Sequence, residues 1–140
     1  MTGEPIDLTA ALARFDQLWS PRIVARVNDY DVRVAKVAGE HIWHAHAHTD
    51  EFFLVLDGEL HIALRDTTTT TTTTVGGERV VVLSRGEIFV VPAGVEHRPF
   101  APTGASILMF EPTGTSTVGE RHDPVPGHVD VTAGHPLTAK

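Results

Sequence analysis

Apolar residues recur at two different spacings along this chain, and the change from one to the other divides it. From Asp7 to Trp19 the residues Leu8, Ala11, Leu12, Phe15, Leu18 and Trp19 fall at three- and four-residue intervals, with Asp7 available as a cap and Pro21 just beyond. That spacing predicts one short N-terminal helix within residues 1–20. From Arg22 onward the period drops to two. Arg22 to Val27 and Tyr30 to Val37 alternate apolar with polar residues around Asn28-Asp29, as a hairpin does, and Gly39 closes the second strand. Phe52 to Leu56, Leu60 to Leu64, Arg79 to Leu83, Ile88 to Val91 and Ser106 to Phe110 are further short runs of β-branched and aromatic residues. Asp57-Gly58, Gly76-Gly77, Gly86, Pro92 with Gly94, and Pro102 with Gly104 separate them. Strands this short and this closely spaced predict an all-β fold, a small antiparallel barrel or sandwich, over residues 21–112.

Two segments fall outside the alternation. Thr67 to Thr74 is an unbroken threonine tract, which gives no contrast between faces to set a register, so it is expected to be an exposed loop lengthening the hairpin between Arg65 and Arg79. After Pro112 the chain is rich in Gly, Pro, Thr and Ser, with Val118, Val125, Val129, Val131 and Leu137 scattered through it. Residues 113–140 are therefore expected to form a strap or a disordered tail. His122, His128 and His135 lie there at no ligand-like spacing and are expected to be solvated.

The bulk numbers narrow the chemistry. A chain of 140 residues fits one domain, which should bury roughly two thirds of its unfolded surface. No stretch approaches the roughly 18 apolar residues of a membrane span. Met1-Thr2-Gly3-Glu4 has neither the basic nor the apolar run of a secretory signal, so a cytoplasmic protein with no membrane partner is expected. The formal charge of −7, without clustered Lys and Arg, argues against a nucleic-acid partner. There is no cysteine, which removes disulfides, thiolate nucleophiles and sulfur-ligated metals together. Any metal must sit on nitrogen and oxygen. The chain has nine histidines, and His41, His44, His46 and His48 are crowded into eight positions.

That crowding carries the candidate site. Residues two apart in an extended strand share a face, so His44 and His46 can chelate one ion while Ala45 faces away. A turn through Ala47 to Asp50 can bring Glu51 alongside them. Downstream, the strand ending at Val91 stops at Pro92-Ala93-Gly94, and His97 follows, placed to supply a fourth ligand. Three imidazoles and a carboxylate suit a divalent ion such as Fe, Mn, Zn, Ni or Cu without selecting among them. His46 and His48 also stand two apart, so spacing alone leaves the histidine pair open.

The run His44-x-His46-x4-Glu51 with Gly58, followed by Gly86-x5-Pro92-x-Gly94-x2-His97, closely resembles the two motifs of the cupin superfamily, in their usual order. The resemblance covers Gly39 to Pro99 directly and, through the flanking strands, most of the remaining alternating region. It implies a jelly-roll barrel with one divalent metal ion inside its mouth, held by His44, His46, Glu51 and His97, and often a homodimer. It also chooses His44 and His46 over the pair His46 and His48, because only the former leaves four residues before Glu51. His48 then belongs at the rim. Two departures stand out. Ala101 occupies a position where the family commonly has Asn, and the Gly of the first motif lies one residue closer to its His.

Parity with Glu51 places Phe53 and Val55 inside the barrel, with Phe89, Val91, Ile107 and Met109 as further lining. His41 is expected at the surface or behind the ligands. Arg33, Lys36 and Arg65 lie on strands, where surface charge is the usual outcome, although one turned inward could clamp a substrate carboxylate. Four protein ligands leave about two positions of an octahedral ion open. The reading is thus a metal-binding domain protein, either an enzyme of dioxygenase, isomerase or lyase type acting on a small molecule, or a noncatalytic module that binds a metabolite or the metal itself. No residue outside the ligands is assigned to catalysis, and no organic cofactor is implied.

Overall fold

Asp7 caps the first helix by accepting a hydrogen bond from the Ala10 N–H through Oδ1, but α1 extends only over Leu8–Leu12. Of the apolar residues beyond it, read from the sequence as one helix through Trp19, Phe15 and Trp19 are buried instead and Leu18 stays exposed. Leu18 bridges to Lys36, the Trp19 N–H bonds to the Lys36 carbonyl, and Trp19 Nε1 donates to the Ala38 carbonyl. A helix this short is marginal by itself, and these backbone pairings with the sheet outweigh continuing it. In this computed structural model the described residues are 3–65 and 78–137. The Thr67 to Thr74 tract, expected as a loop, and the Gly76-Gly77 turn lie outside them.

The strands are β1 (Arg22–Val27), β2 (Tyr30–Glu40), β3 (His44–Ala45), β4 (Glu51–Arg65), β5 (Arg79–Ser84), β6 (Ile88–Val91), β7 (Glu96–Pro112), β8 (Arg121–His122) and β9 (His135–Pro136). They form one bent sheet in the order β5-β4-β7-β2-β1-β9, with β6 on β4, β3 on β7 and β8 on β3. All pairings are antiparallel except β1 with β9. The sheet does not close on itself among the described residues, and the fold is an all-β jelly roll with one short helix.

Three expected strand ends are in fact bulges. Phe52 to Leu56 and Leu60 to Leu64 belong to one strand, β4, and Asp57-Gly58 is not a turn between them. Its pairing to β7 slips between Val55 and Asp57 and again between Gly58 and His61. The slip reverses parity: Glu51, Phe53 and Val55 are buried in the first half, and Leu60, Ile62 and Leu64 in the second. A bulge bends a strand while keeping its apolar side inward, which a one-residue register error would not do. Gly58 has φ +80, and a side chain there would run into the Gly104 carbonyl. Likewise Ser106 to Phe110 is the second arm of β7, with Pro102 to Gly104 bulging out of the pairing to β2. Gly39, at φ +71, kinks β2 without ending it. These bends let β2, β4 and β7 wrap a single core of Trp19, Val37, Phe53, Leu60, Ile62, Leu64, Ile107 and their neighbours.

Arg33 overturns the expectation of a surface charge. Its side chain is fully buried, donating to Asp31 Oδ2 at 3.2 Å and to the Thr115 carbonyl at 2.9 Å. Parity explains it, since Arg33 shares the inward face of β2 with Asp31, Ala35 and Val37. Lys36 is half-buried and bonds the Phe15 carbonyl, while Arg65 stacks on Trp43 with its guanidinium 3.8 Å from the ring centre. Beyond β7, Val118 and Val129 are buried with Ile42 in a second small cluster. No helix among the described residues is long and apolar enough to cross a membrane.

Candidate metal centre

Backbone register brings the site together. His44 in β3 pairs directly with His97 in β7, His46 follows two residues along, and Glu51 opens β4 next to the Phe52–Phe110 pair. All four side chains are buried. Their ligand atoms lie within 4.8 Å of one another, a group that could hold a metal ion. Glu51 Oε1 stands 2.6 Å from His97 Nε2, 3.1 Å from His46 Nε2 and 3.7 Å from His44 Nε2. Donors sharing one ion at about 2.1 Å and a right angle stand roughly 3 Å apart, so this spacing matches a common centre.

The outer nitrogens fit the same purpose. His44 Nδ1 donates to the Ile42 carbonyl at 2.8 Å and His97 Nδ1 to the Val95 carbonyl at 3.0 Å. Each bond fixes the ring and leaves Nε2 as the inward atom, as the carbonyl partners of metal-bound imidazoles do. His44 Nε2 is buried and has no hydrogen-bond partner. A buried imidazole nitrogen left unpaired beside a carboxylate fits a group that could hold a cation.

Charge follows the geometry. Burial opposes a proton on His46, but the Glu51 carboxylate outweighs it and raises the group to about 9. Burial alone would raise Glu51, yet the charge of His46 and the imidazole hydrogen bonds hold it well below the usual carboxylate range. Burial lowers His44. His41, which the sequence placed at the surface or behind the ligands, is buried behind them with its ring centre 4.9 Å from that of His44. Burial, then the neighbouring His44, lowers it to about 3. His48 is exposed, as are His122, His128 and His135. These last three are not simply solvated: His122 pairs through its backbone with His44, His128 bonds the Glu40 carbonyl, and His135 bonds Asp130.

A cavity opens onto the group, walled by Trp19, Val37, Phe53, Ile107 and Met109, with His41, His44, Glu51, Glu111 and Thr117 as its polar members. Its empty volume is about 400 Å³, part of it open to solvent. Of the six residues that parity named as lining, Phe53, Ile107 and Met109 wall this cavity, whereas Val55 and Val91 are buried in the core and Phe89 packs against it. Glu111 was missed, although it continues the inward series Ile107, Met109, Glu111. Burial pushes it up to about 8, with the repulsion of Glu51 adding to the shift.

A family model for the cupin domain matches residues 30–111, more than half the chain. The chain belongs to the cupin domain family. Among solved structures, this cupin is 41% identical, with a TM-score of 0.67, to a cupin-2 domain containing protein from Shewanella frigidimarina NCIMB 400, covering 76% of this chain and 93% of that one. It is 37% identical over 75 residues to YdbB of Bacillus subtilis (strain 168), which is 54% of this chain and 57% of YdbB, so the match spans little more than half of that curated relative. The fold is shared with hydroquinone 1,2-dioxygenase from Sphingomonas sp. TTNP3, solved with 4-hydroxybenzoate bound, at 22% identity and a TM-score of 0.57 over 79% of this chain and 80% of that one.

Proposed function

We propose that this cupin holds one divalent metal ion through His44, His46, Glu51 and His97 and acts as a metal-dependent enzyme on a small molecule that reaches the ion through the cavity. One observation carries the reading: three buried imidazole nitrogens converge on one carboxylate oxygen, two of them with their outer nitrogens already tied to main-chain carbonyls. The donor set of three nitrogens and one oxygen suits a transition-metal ion, which when bound supplies Lewis acidity and about two open positions for substrate oxygen. The chain's own residues do the rest. The backbone carbonyls of Ile42 and Val95 orient the rings, and Glu51 would offset part of a bound ion's charge. Phe53, Ile107 and Met109 keep bulk water from the inner face. This arrangement suits oxygen-donor substrates of few atoms at the reacting end, the class handled by dioxygenase, isomerase and lyase chemistry.

Metal analysis of the purified chain and of His44→Ala and Glu51→Ala tests the site. Near-stoichiometric metal in the wild type and its loss in both folded variants is expected, and unchanged metal in both would refute the assignment. An oxygen-uptake and turnover screen of the iron-loaded protein against catechols, thiols and keto acids tests the enzyme reading. Tight ligand binding without any turnover would make this a noncatalytic binding module. The homodimer implied by the family resemblance is tested by molar mass in solution.

A further inference from the structure

Glu111 carries the most unusual unused group in the molecule. Its residue is 1% exposed, near the end of β7, and the pairing of Phe52 with Phe110 sets it beside Glu51 at the end of the neighbouring strand. It lines the same cavity as His44 and Glu51 but stands outside the four-donor group. One oxygen, Oε1, faces Arg33 Nη1 at 3.8 Å, an ion pair too long for a hydrogen bond. The other, Oε2, is buried with no partner at all. Buried carboxylate oxygens are rarely left so, and each such case calls for a reason.

The ion pair with Arg33, made through Oε1, leaves Oε2 unpaired. Asp31 already pairs with Arg33 at 3.2 Å, closer than Glu111 does, and the Thr115 carbonyl takes a further guanidinium hydrogen bond. Asp31 is itself fixed by Arg26 and by the Thr113 hydroxyl. The assembly backs one side of the Glu111 carboxyl, and the same residue lines the cavity. The surrounding wall is apolar, so a hydrogen bond made there is shielded from water and correspondingly strong.

Building on the metal reading above, we propose that Glu111 selects the ligand: its free oxygen accepts a hydrogen bond from a hydroxyl or amine of a small molecule whose second oxygen sits on the metal. The recognised class is therefore a compact bifunctional molecule, such as an α-hydroxy acid, a vicinal diol or an amino alcohol, whose donor lies within a few bonds of the metal-binding oxygen. A molecule with the oxygen but without the donor leaves Oε2 buried and unpaired, and is rejected for that reason.

The test uses the full chain loaded with cobalt(II), whose visible spectrum reports a ligand at the ion, and two probe pairs related by methylation of the donor hydroxyl: glycolate against methoxyacetate, and catechol against guaiacol, with the Glu111 variants separating loss of the hydrogen bond from loss of chelation. The wild type is expected to favour the donor member of at least one pair by about tenfold or more. Glu111→Gln, which replaces the carboxyl by an amide, should cut that preference about tenfold, and Glu111→Met should abolish it, with cobalt content unchanged in both. Glu111→Asp keeps the charge facing Arg33 and withdraws the oxygen by one methylene, and it should show the same loss where the neutral variants do not fold. Cobalt retained with no preference in either pair, preference kept in the variants, or loss of cobalt on Glu111→Gln would each overturn the proposal. A wild type that takes up no cobalt would overturn the metal reading and this inference with it.

Discussion

Gly119 and Gly114 offer a controlled comparison of how the C-terminal strap supports the centre. Both adopt left-handed backbone, φ +65 and φ +92, so alanine at either carries the conformational cost of about 1–2 kcal/mol. Only Gly119 is also packed. A Cβ there would collide with the Ala45 carbonyl oxygen, stand 2.8 Å from the Ala45 carbonyl carbon and come within 3.2 Å of His46 Nδ1, whereas nothing lies within 4 Å of a Cβ at Gly114. Overpacking against backbone adds about 1–3 kcal/mol, which gives Gly119→Ala a total of about 2–5 kcal/mol. The backbone it pushes sits between His44 and His46. Gly119→Ala should therefore weaken metal binding by about tenfold or more, as loss of supporting contacts around metal ligands does, while Gly114→Ala leaves affinity unchanged. Urea unfolding of each variant without metal, and competitive titration of metal against a chelator, measure the two effects. Equal stability losses, or an unaltered metal affinity in Gly119→Ala, would refute the claim that the strap braces the ligand strand.

Three further outcomes follow from the same geometry. His41 is held neutral, its pKa lowered to about 3 by burial and then by His44, so protonation favours the unfolded chain. Stability conferred by neutral His41 is present above about pH 6.5 and lost as pH falls, by up to about 1.4 kcal/mol per unit, so His41→Gln should flatten the wild-type decline in urea midpoint between pH 7 and pH 5; parallel declines would contradict this. Phe53 is 1% exposed in the core, its ring packed 6.4 Å from that of His97. Phe53→Ala should cost about 3–5 kcal/mol in denaturant unfolding, and a loss below about 1 kcal/mol would show that the core is not built as described. Saturating metal at a thousandfold over its dissociation constant should raise unfolding free energy by about 4 kcal/mol in the wild type and leave Glu51→Ala unmoved, as differential scanning calorimetry would show.

How far the chain could be read in advance differs between its parts for definite reasons. The hairpin of β1 and β2 was legible from its alternation around Asn28-Asp29, and the strands β5 and β6 because each is one unbroken apolar run beside turn-forming residues. The four clustered donors were legible because an i, i+2 pair shares a face in any strand and because the spacing to Glu51 and His97 resembles known motifs. The bulges at Asp57-Gly58 and Pro102 to Gly104 read as turns, since the same residue types serve both. Likewise, Phe15 and Trp19 kept helical spacing although sheet pairing claimed that segment.

What the sequence determined by itself was local: the period of each segment, the absence of thiol chemistry, and a set of nitrogen and oxygen donors at chelating spacing. Tertiary structure decided everything that depends on register between distant strands. Pairing β3 with β7 put His97 opposite His44, and pairing Phe52 with Phe110 set Glu111 beside Glu51. Folding β2 inward turned Arg33 from an expected surface charge into the buried support of that carboxyl. Such contacts join residues more than forty positions apart, and a pattern of period two says which face a side chain takes without saying what stands across from it.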